Sequence, residues 1–199
     1  LLLPIGPAAV AVLRYVLPYD TVDDSSTMVR KAIAEPGRAS LVLWLGLVAV
    51  LTLVPAAYAV GRMTRLRAPQ LTAAAMVLLV PGYLALGWLG AGDQLLWIGP
   101  EAGLTASEVT RLYDAAHPTT EIAGVFFVIG HVAGTILLGI ALWRSQVVPR
   151  WAAVAVIVSQ PIHVVAAVVV PNHTLDLIGW GLQAAGFAAV GWAIVRRLP

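Results

Sequence analysis

The sequence contains no cysteine. That absence excludes a disulfide framework, a thiolate metal centre and a cysteine nucleophile, and it leaves the redox compartment open. Charge is nearly as scarce. Only 11% of the 199 residues are charged and 60% are hydrophobic, against about 25% and about 45–50% in a soluble domain. Lysine occurs once, beside eleven arginines, which with heavy Ala and Val use fits a high-GC bacterial coding bias. The ten-residue alternation of a membrane barrel is missing. So are a nucleophile elbow, a phosphate-binding glycine loop, an acidic metal motif and an H-E-x-x-H pair, which removes the ready-made hydrolase, nucleotide and metalloprotease readings.

What is present is a series of long apolar blocks joined by short polar connections. About 20 apolar residues at about 1.5 Å each cross a ~30 Å hydrocarbon core. The blocks therefore predict six transmembrane helices, at 1–18, 39–60, 69–90, 119–143, 151–170 and 175–195. The expected fold class is all-α: a polytopic six-transmembrane-helix bundle forming one integral-membrane domain over 1–199. The first block, broken by Pro4 and Pro7, sits at the short limit for crossing. No basic start with a small-residue cleavage site marks it as a signal, so a removed leader is not expected.

Two connections are longer than turns, and each should carry a short surface helix. In 19–38 the helix runs from about Ser25 to Ala34 and is closed by Pro36 and Gly37. In 91–118 the run Thr105-Ala106-Ser107-Glu108 forms a capping box, with Leu104 and Val109 as its staple. That helix should reach about Ala116 and rest Val109, Leu112 and Tyr113 on the bundle or the membrane surface.

Charge then sets orientation. The connections after the second and fourth spans and the C-terminal tail hold Arg62, Arg65, Arg67, Arg144, Arg150, Arg196 and Arg197 and no acid; all ten acids fall on the other side. By the positive-inside bias both termini are cytoplasmic and the protein lies in the inner (plasma) membrane. Trp97, Trp143, Trp151 and Trp180 stand near predicted span ends, where an interfacial aromatic belt would put them.

Polar residues inside the spans mark the candidate site. Glu121, Gly124, Val128, His131, Thr135 and Leu138 recur at three- and four-residue steps, so they share one helix face, expected to look inward. An ionisable side chain near the bilayer centre costs about 2.5 kcal/mol or more, so His131 needs a partner, a cavity or a cofactor. His163 should lie at a similar depth, ~18 Å from its own span end, with Gln160 one turn away beside Pro161. Asp176, Trp180 and Gln183 share a face of the sixth span, Arg14 sits about one turn below the outer end of the first, and Asp93 closes the third.

Each candidate also has a packing role to weigh. Arg14 either snorkels to the interface or pairs with Asp93, Glu121 or Asp176. Asp176 suits the first turn of a helix. Gln160 and Gln183 suit interhelical hydrogen bonds, and His131 within Gly130-His131-Val132-Ala133-Gly134 suits a close small-residue contact.

The reading preferred on these residues is an outer-half pocket for a lipophilic or amphiphilic small molecule. Glu121 or Asp93 would be its general acid and His131 its base, while Arg14, Gln160, His163, Asp176, Trp180 and Gln183 would bind the ligand. Two alternatives come from other classes: a non-catalytic accessory or transport component of a membrane complex, and a single b-type haem held between His131 and His163. Outside that haem alternative no cofactor or metal is expected. The expected partners are the lipid bilayer and the small molecule, with no nucleic acid.

The runs Gly130-His131-Val132-Ala133-Gly134, Leu137-Leu138-Gly139, Leu142-Trp143-Arg144 and Val148-Pro149-Arg150-Trp151-Ala152 resemble small multi-pass proteins of unknown function common in high-GC Gram-positive bacteria. The resemblance implies a six-span membrane fold and assigns no catalytic residue.

Overall fold

A computed structural model describes residues 2–196. Leu1 of the first predicted span and Arg197 of the basic tail lie outside them. Eight α-helices follow in chain order: α1 (Ile5–Val16), α2 (Ser25–Ala34), α3 (Pro36–Thr64), α4 (Pro69–Glu101), α5 (Ala106–Asp114), α6 (Thr119–Ser145), α7 (Arg150–Val164), which continues as a π-helical turn over Val165–Val169, and α8 (His173–Val195). The described residues contain no strand. Five helices, α3, α4, α6, α7 with its π turn, and α8, are long and apolar enough to cross a bilayer. The protein is an all-α integral membrane protein. With 12 residues, α1 is ~18 Å long and shorter than a ~30 Å core.

Helices α1, α3, α4, α6, α7 and α8 pack each against the next, and α8 closes on α1. The ring encloses one apolar core, with Leu53, Leu79, Tyr83, Leu138, Leu142, Trp180 and Phe187 wholly buried. Glycine brings the helices this close. A Cβ on Gly130 would meet Leu78 O at 2.6 Å and Gly82 Cα at 2.8 Å, and one on Gly134 would meet Leu79 N at 3.0 Å. The Gly130–Gly134 segment therefore rests its backbone on α4, a small-residue contact that gains van der Waals attraction where lipid gives no hydrophobic drive. On the other side of the ring, Gly179 lies against the backbone of Ser159 and His163.

Two element boundaries differ from expectation. The third span does not end near Gly90, because α4 runs on to Glu101 and stops only where Gly103 adopts φ +81°. At 33 residues it is ~50 Å long, so its last turns project beyond a ~30 Å core. Those turns are held by α2 and α5, whose Val29, Ala32 and Val109 bury Leu96 in a second, smaller core. Pro36, expected to close α2, instead opens α3 in its first turn, where the missing N–H costs nothing. The α5 capping box forms as expected, with Thr105 and Glu108 exchanging hydrogen bonds. Its hydroxyl and amide donors hold the Glu108 carboxyl below the usual glutamate range.

Candidate functional site

Asp176 is the junction of the polar cluster. It stands in the first turn of α8, where Asn172 caps the helix by accepting from Leu175 N at 2.9 Å. The same residue is wholly buried, its two oxygens taken by different helices. Arg14 Nε of α1 donates to Oδ2 at 2.5 Å, and His163 Nδ1 of α7 donates to Oδ1 at 2.5 Å. Of the alternatives open to Arg14, the buried pair is therefore the one formed. Its guanidinium also donates to Thr21 Oγ1 at 2.7 Å, so the far end of the group looks toward the loop between α1 and α2. A hydrogen-bonded carboxylate that orients a histidine through Nδ1 leaves Nε2 as that ring's acceptor.

His131 comes next. Its ring centroid is 5.3 Å from that of His163, and Trp180 lies against both, at 5.6 Å from His131 and 5.4 Å from His163. His131 Nδ1 donates to its own helix at Phe127 O, 2.5 Å away, and the Phe127 ring stacks on it at 4.2 Å. Its Nε2 is buried without a partner, and so is Trp180 Nε1. One turn further in, a chain of amides and hydroxyls ties four helices together. Gln160 Nε2 donates to Gln183 Oε1 at 2.7 Å, Gln183 Nε2 to Tyr83 OH at 2.9 Å, and Tyr83 OH lies 3.3 Å from Thr135 Oγ1. Gln160 Oε1 is left over. Such unsatisfied buried groups are uncommon in folded proteins, and each calls for an explanation.

The structure thus brings Arg14, His131, Gln160, His163, Asp176, Trp180 and Gln183 together and leaves the other two candidates out. Glu121 is exposed, away from the cluster. The inward face read from the sequence holds only from His131 downward. Thr135 and Leu138 are wholly buried, whereas Val128, one turn above His131, is 52% exposed. On the N-terminal half of α6 the residues Ile122, Val125, Phe126 and Ile129 are exposed as well. Asp93 sits apart, hydrogen-bonded to Tyr19 beneath α2. Burial and the neighbouring Asp93 carboxyl push the Tyr19 phenol well above its ordinary value. Trp180, expected in an interfacial belt, is instead the largest side chain of the buried core.

One further expectation is corrected by these distances. A porphyrin does not fit between His131 and His163, because rings 5.3 Å apart that share Trp180 as a neighbour leave no slot for a macrocycle. Two small pockets lie under α2, against Leu96, and measure about 20 Å³ and about 10 Å³, room for about one water molecule each.

The family model for a domain of unknown function, DUF4386, matches residues 2–196. The chain belongs to the DUF4386 family. Neither a curated protein nor a solved structure matches it. Membership assigns no residue a role, so the function of this DUF4386 chain rests on its own buried groups. Tyr83 and Phe127 are the members of the cluster that sequence reasoning passed over. A tyrosine after Pro81-Gly82 inside an apolar span was the available signal for the first. Phe127 carried none, since it contributes a backbone carbonyl and a ring face.

Proposed function

We propose that this DUF4386 protein is a single six-span domain of the plasma membrane, both termini cytoplasmic, that binds a lipophilic or amphiphilic molecule in the outer leaflet. The ligand's site is a groove open to lipid between the outer half of α6 and the π turn after α7. One observation carries the reading: the α6 face that is sealed at Thr135 and Leu138 is open at Val128, with a wholly buried histidine at the change-over. The opposite wall is equally apolar and uncovered, through Val165, Val168, Val169 and Val170. A molecule lying there keeps its chain in hydrocarbon and its polar end at His131, His163 and Trp180, the mix of apolar walls and few polar groups typical of ligand sites.

Acid and base roles, if chemistry follows binding, pass from Glu121 and Asp93 to the pair His163 and Asp176. His163 has its Nδ1–H held by a carboxylate, the arrangement by which a histidine is oriented as a base. Glu121 stands at the mouth of the groove and meets the part of an amphiphile nearest water.

The absence of cysteine from the chain makes the test direct. In Val128→Cys protein in nanodiscs, a lipid-soluble maleimide should label the introduced thiol readily, and at least one of three 16-carbon amphiphiles (alcohol, carboxylate or amine) should slow labelling at least tenfold. Leu138→Cys should stay unlabelled throughout. Equal labelling at the two positions, or no protection by any amphiphile, removes the groove.

A further inference from the structure

The polar floor of the groove has an unequal supply of hydrogen-bonding groups, and the inequality specifies what fits it. Two acceptors at the aromatic rings are unspent. His131 Nε2 is buried with no partner, and His163 Nε2, whose ring is 11% exposed, bonds to no described residue while Nδ1 is held by Asp176; one turn further in, Gln160 Oε1 is also unpartnered, beside the second N–H that the Gln160 and Gln183 amides each keep. In a neutral imidazole whose Nδ1 carries the proton, Nε2 can only accept. Against the two ring acceptors stands one ring donor without a partner, Trp180 Nε1–H. The two histidine rings and the indole pack within 5.3–5.6 Å of one another, so their unspent atoms belong to one cluster.

Charge narrows the choice further. The cluster contains one fixed positive group, Arg14, and one negative group, Asp176, and they are spent on each other at 2.5 Å. No counter-charge is left for an ion. A carboxylate or phosphate would bring only acceptors to a floor already short of donors. An ammonium would bring donors, but its charge would be buried in apolar surroundings without a free carboxylate, which is costly. A neutral hydroxyl meets both conditions, because it donates once and accepts from the indole.

We propose that the polar end of the ligand is an uncharged alcohol: a hydroxyl on a lipophilic chain, donating to a histidine Nε2 and accepting from Trp180 Nε1–H. This rests on the groove reading above and specifies its ligand class. A water molecule has the same donor and acceptor pattern, so the experiment must separate a bound alcohol from a resident water.

The test uses the full chain in nanodiscs with three radiolabelled probes of equal length: hexadecanol, hexadecanoate and hexadecylamine. Hexadecanol should bind saturably and at least tenfold more tightly than either ionic analogue. Trp180→Phe, which removes the indole donor and some ring area, should weaken hexadecanol at least fivefold and leave the weak binding of hexadecylamine, which cannot accept from an indole, unchanged. The ranking of probes on unaltered protein needs no variant to fold. If all three bind alike, or Trp180→Phe in monodisperse, helical protein has no effect on the alcohol, the alcohol proposal fails while the groove stands. If none binds and none protects the thiol of the Val128→Cys variant, the floor holds water and both readings fail.

Discussion

The stretches of α6 above and below His131 are equally apolar in sequence and differ in what they touch. Below, Gly134 and Gly139 let α6 seat directly on α4 and α7, Leu138 is wholly buried, and the polar atoms pair across helices. Above, Gly124 has only Leu89 nearby, at 3.8 Å, and the flanking Val125, Phe126 and Val128 are exposed. In lipid, apolarity does not say whether a residue is inside the bundle, since hydrocarbon is as good a neighbour as leucine. Backbone approach and polar pairing decide it. The lower half is therefore a fixed scaffold, and the upper half leaves apolar surface uncovered.

Placing the two halves in the membrane is the first way to break this comparison. A tag after Arg65 should be reached by a membrane-impermeant reagent only in opened cells, and one after Asp114 in intact cells, as the arginines on one side and acids on the other require. Reversed accessibility would turn the groove toward the cytoplasm.

Asp176→Ala should have the largest effect on stability. It strands Arg14 and His163 at once, and breaking a buried pair costs about 3–5 kcal/mol. Because the Arg14 side chain is 15% exposed, the lower end of that range applies. Steric-trap unfolding in micelles measures it, and the double variant Arg14→Met, Asp176→Leu should recover more than half of the loss. A single-variant cost under about 1 kcal/mol would mean that Arg14 already reaches water.

Next come the two glycines of one helix. Gly130→Ala forces a Cβ to 2.6 Å from Leu78 O, and such overpacking costs about 1–3 kcal/mol. Gly124→Ala meets nothing closer than 3.8 Å and should be neutral, or stabilising by up to about 1 kcal/mol through helix propensity. Equal costs at both positions would erase the distinction between the halves.

The smallest effect lies in the outer cap. Lys31 donates to Asp23 at 2.7 Å and to Asp20 at 3.1 Å, which holds the Asp23 carboxyl below and the Lys31 ammonium above their ordinary values. Asp23, being depressed, contributes stability that is present above about pH 4 and is lost as pH falls through its lowered value. Lys31, being raised, contributes below about pH 10 and loses it as pH rises through its elevated value. The protection of α2 amides, the measured exchange rate compared with the intrinsic rate at the same pH, should therefore fall at pH 3 relative to pH 7, and Lys31→Met should shrink the difference, the Asp24 cap keeping its own share, at a cost within about 1 kcal/mol, as for other exposed pairs.

Hydropathy and local motifs determined the membrane class, the bounds of α2, the start of α6, the end of α8 and the α5 capping box, because those features depend on neighbours within a few turns of chain. The sequence also marked His131, His163, Asp176, Trp180 and the two glutamines, since a polar side chain in hydrocarbon is costly wherever it points. Only the tertiary structure decided their partners. Arg14 meets Asp176 across 162 positions of sequence, and nothing local distinguishes that acid from Asp93 or Glu121. The register of α6 against α4, fixed where two glycine backbones touch, buries His131 and leaves Glu121 outside. The periodicity that joins both residues to one face of α6 is silent on where along that face the neighbouring helices stop.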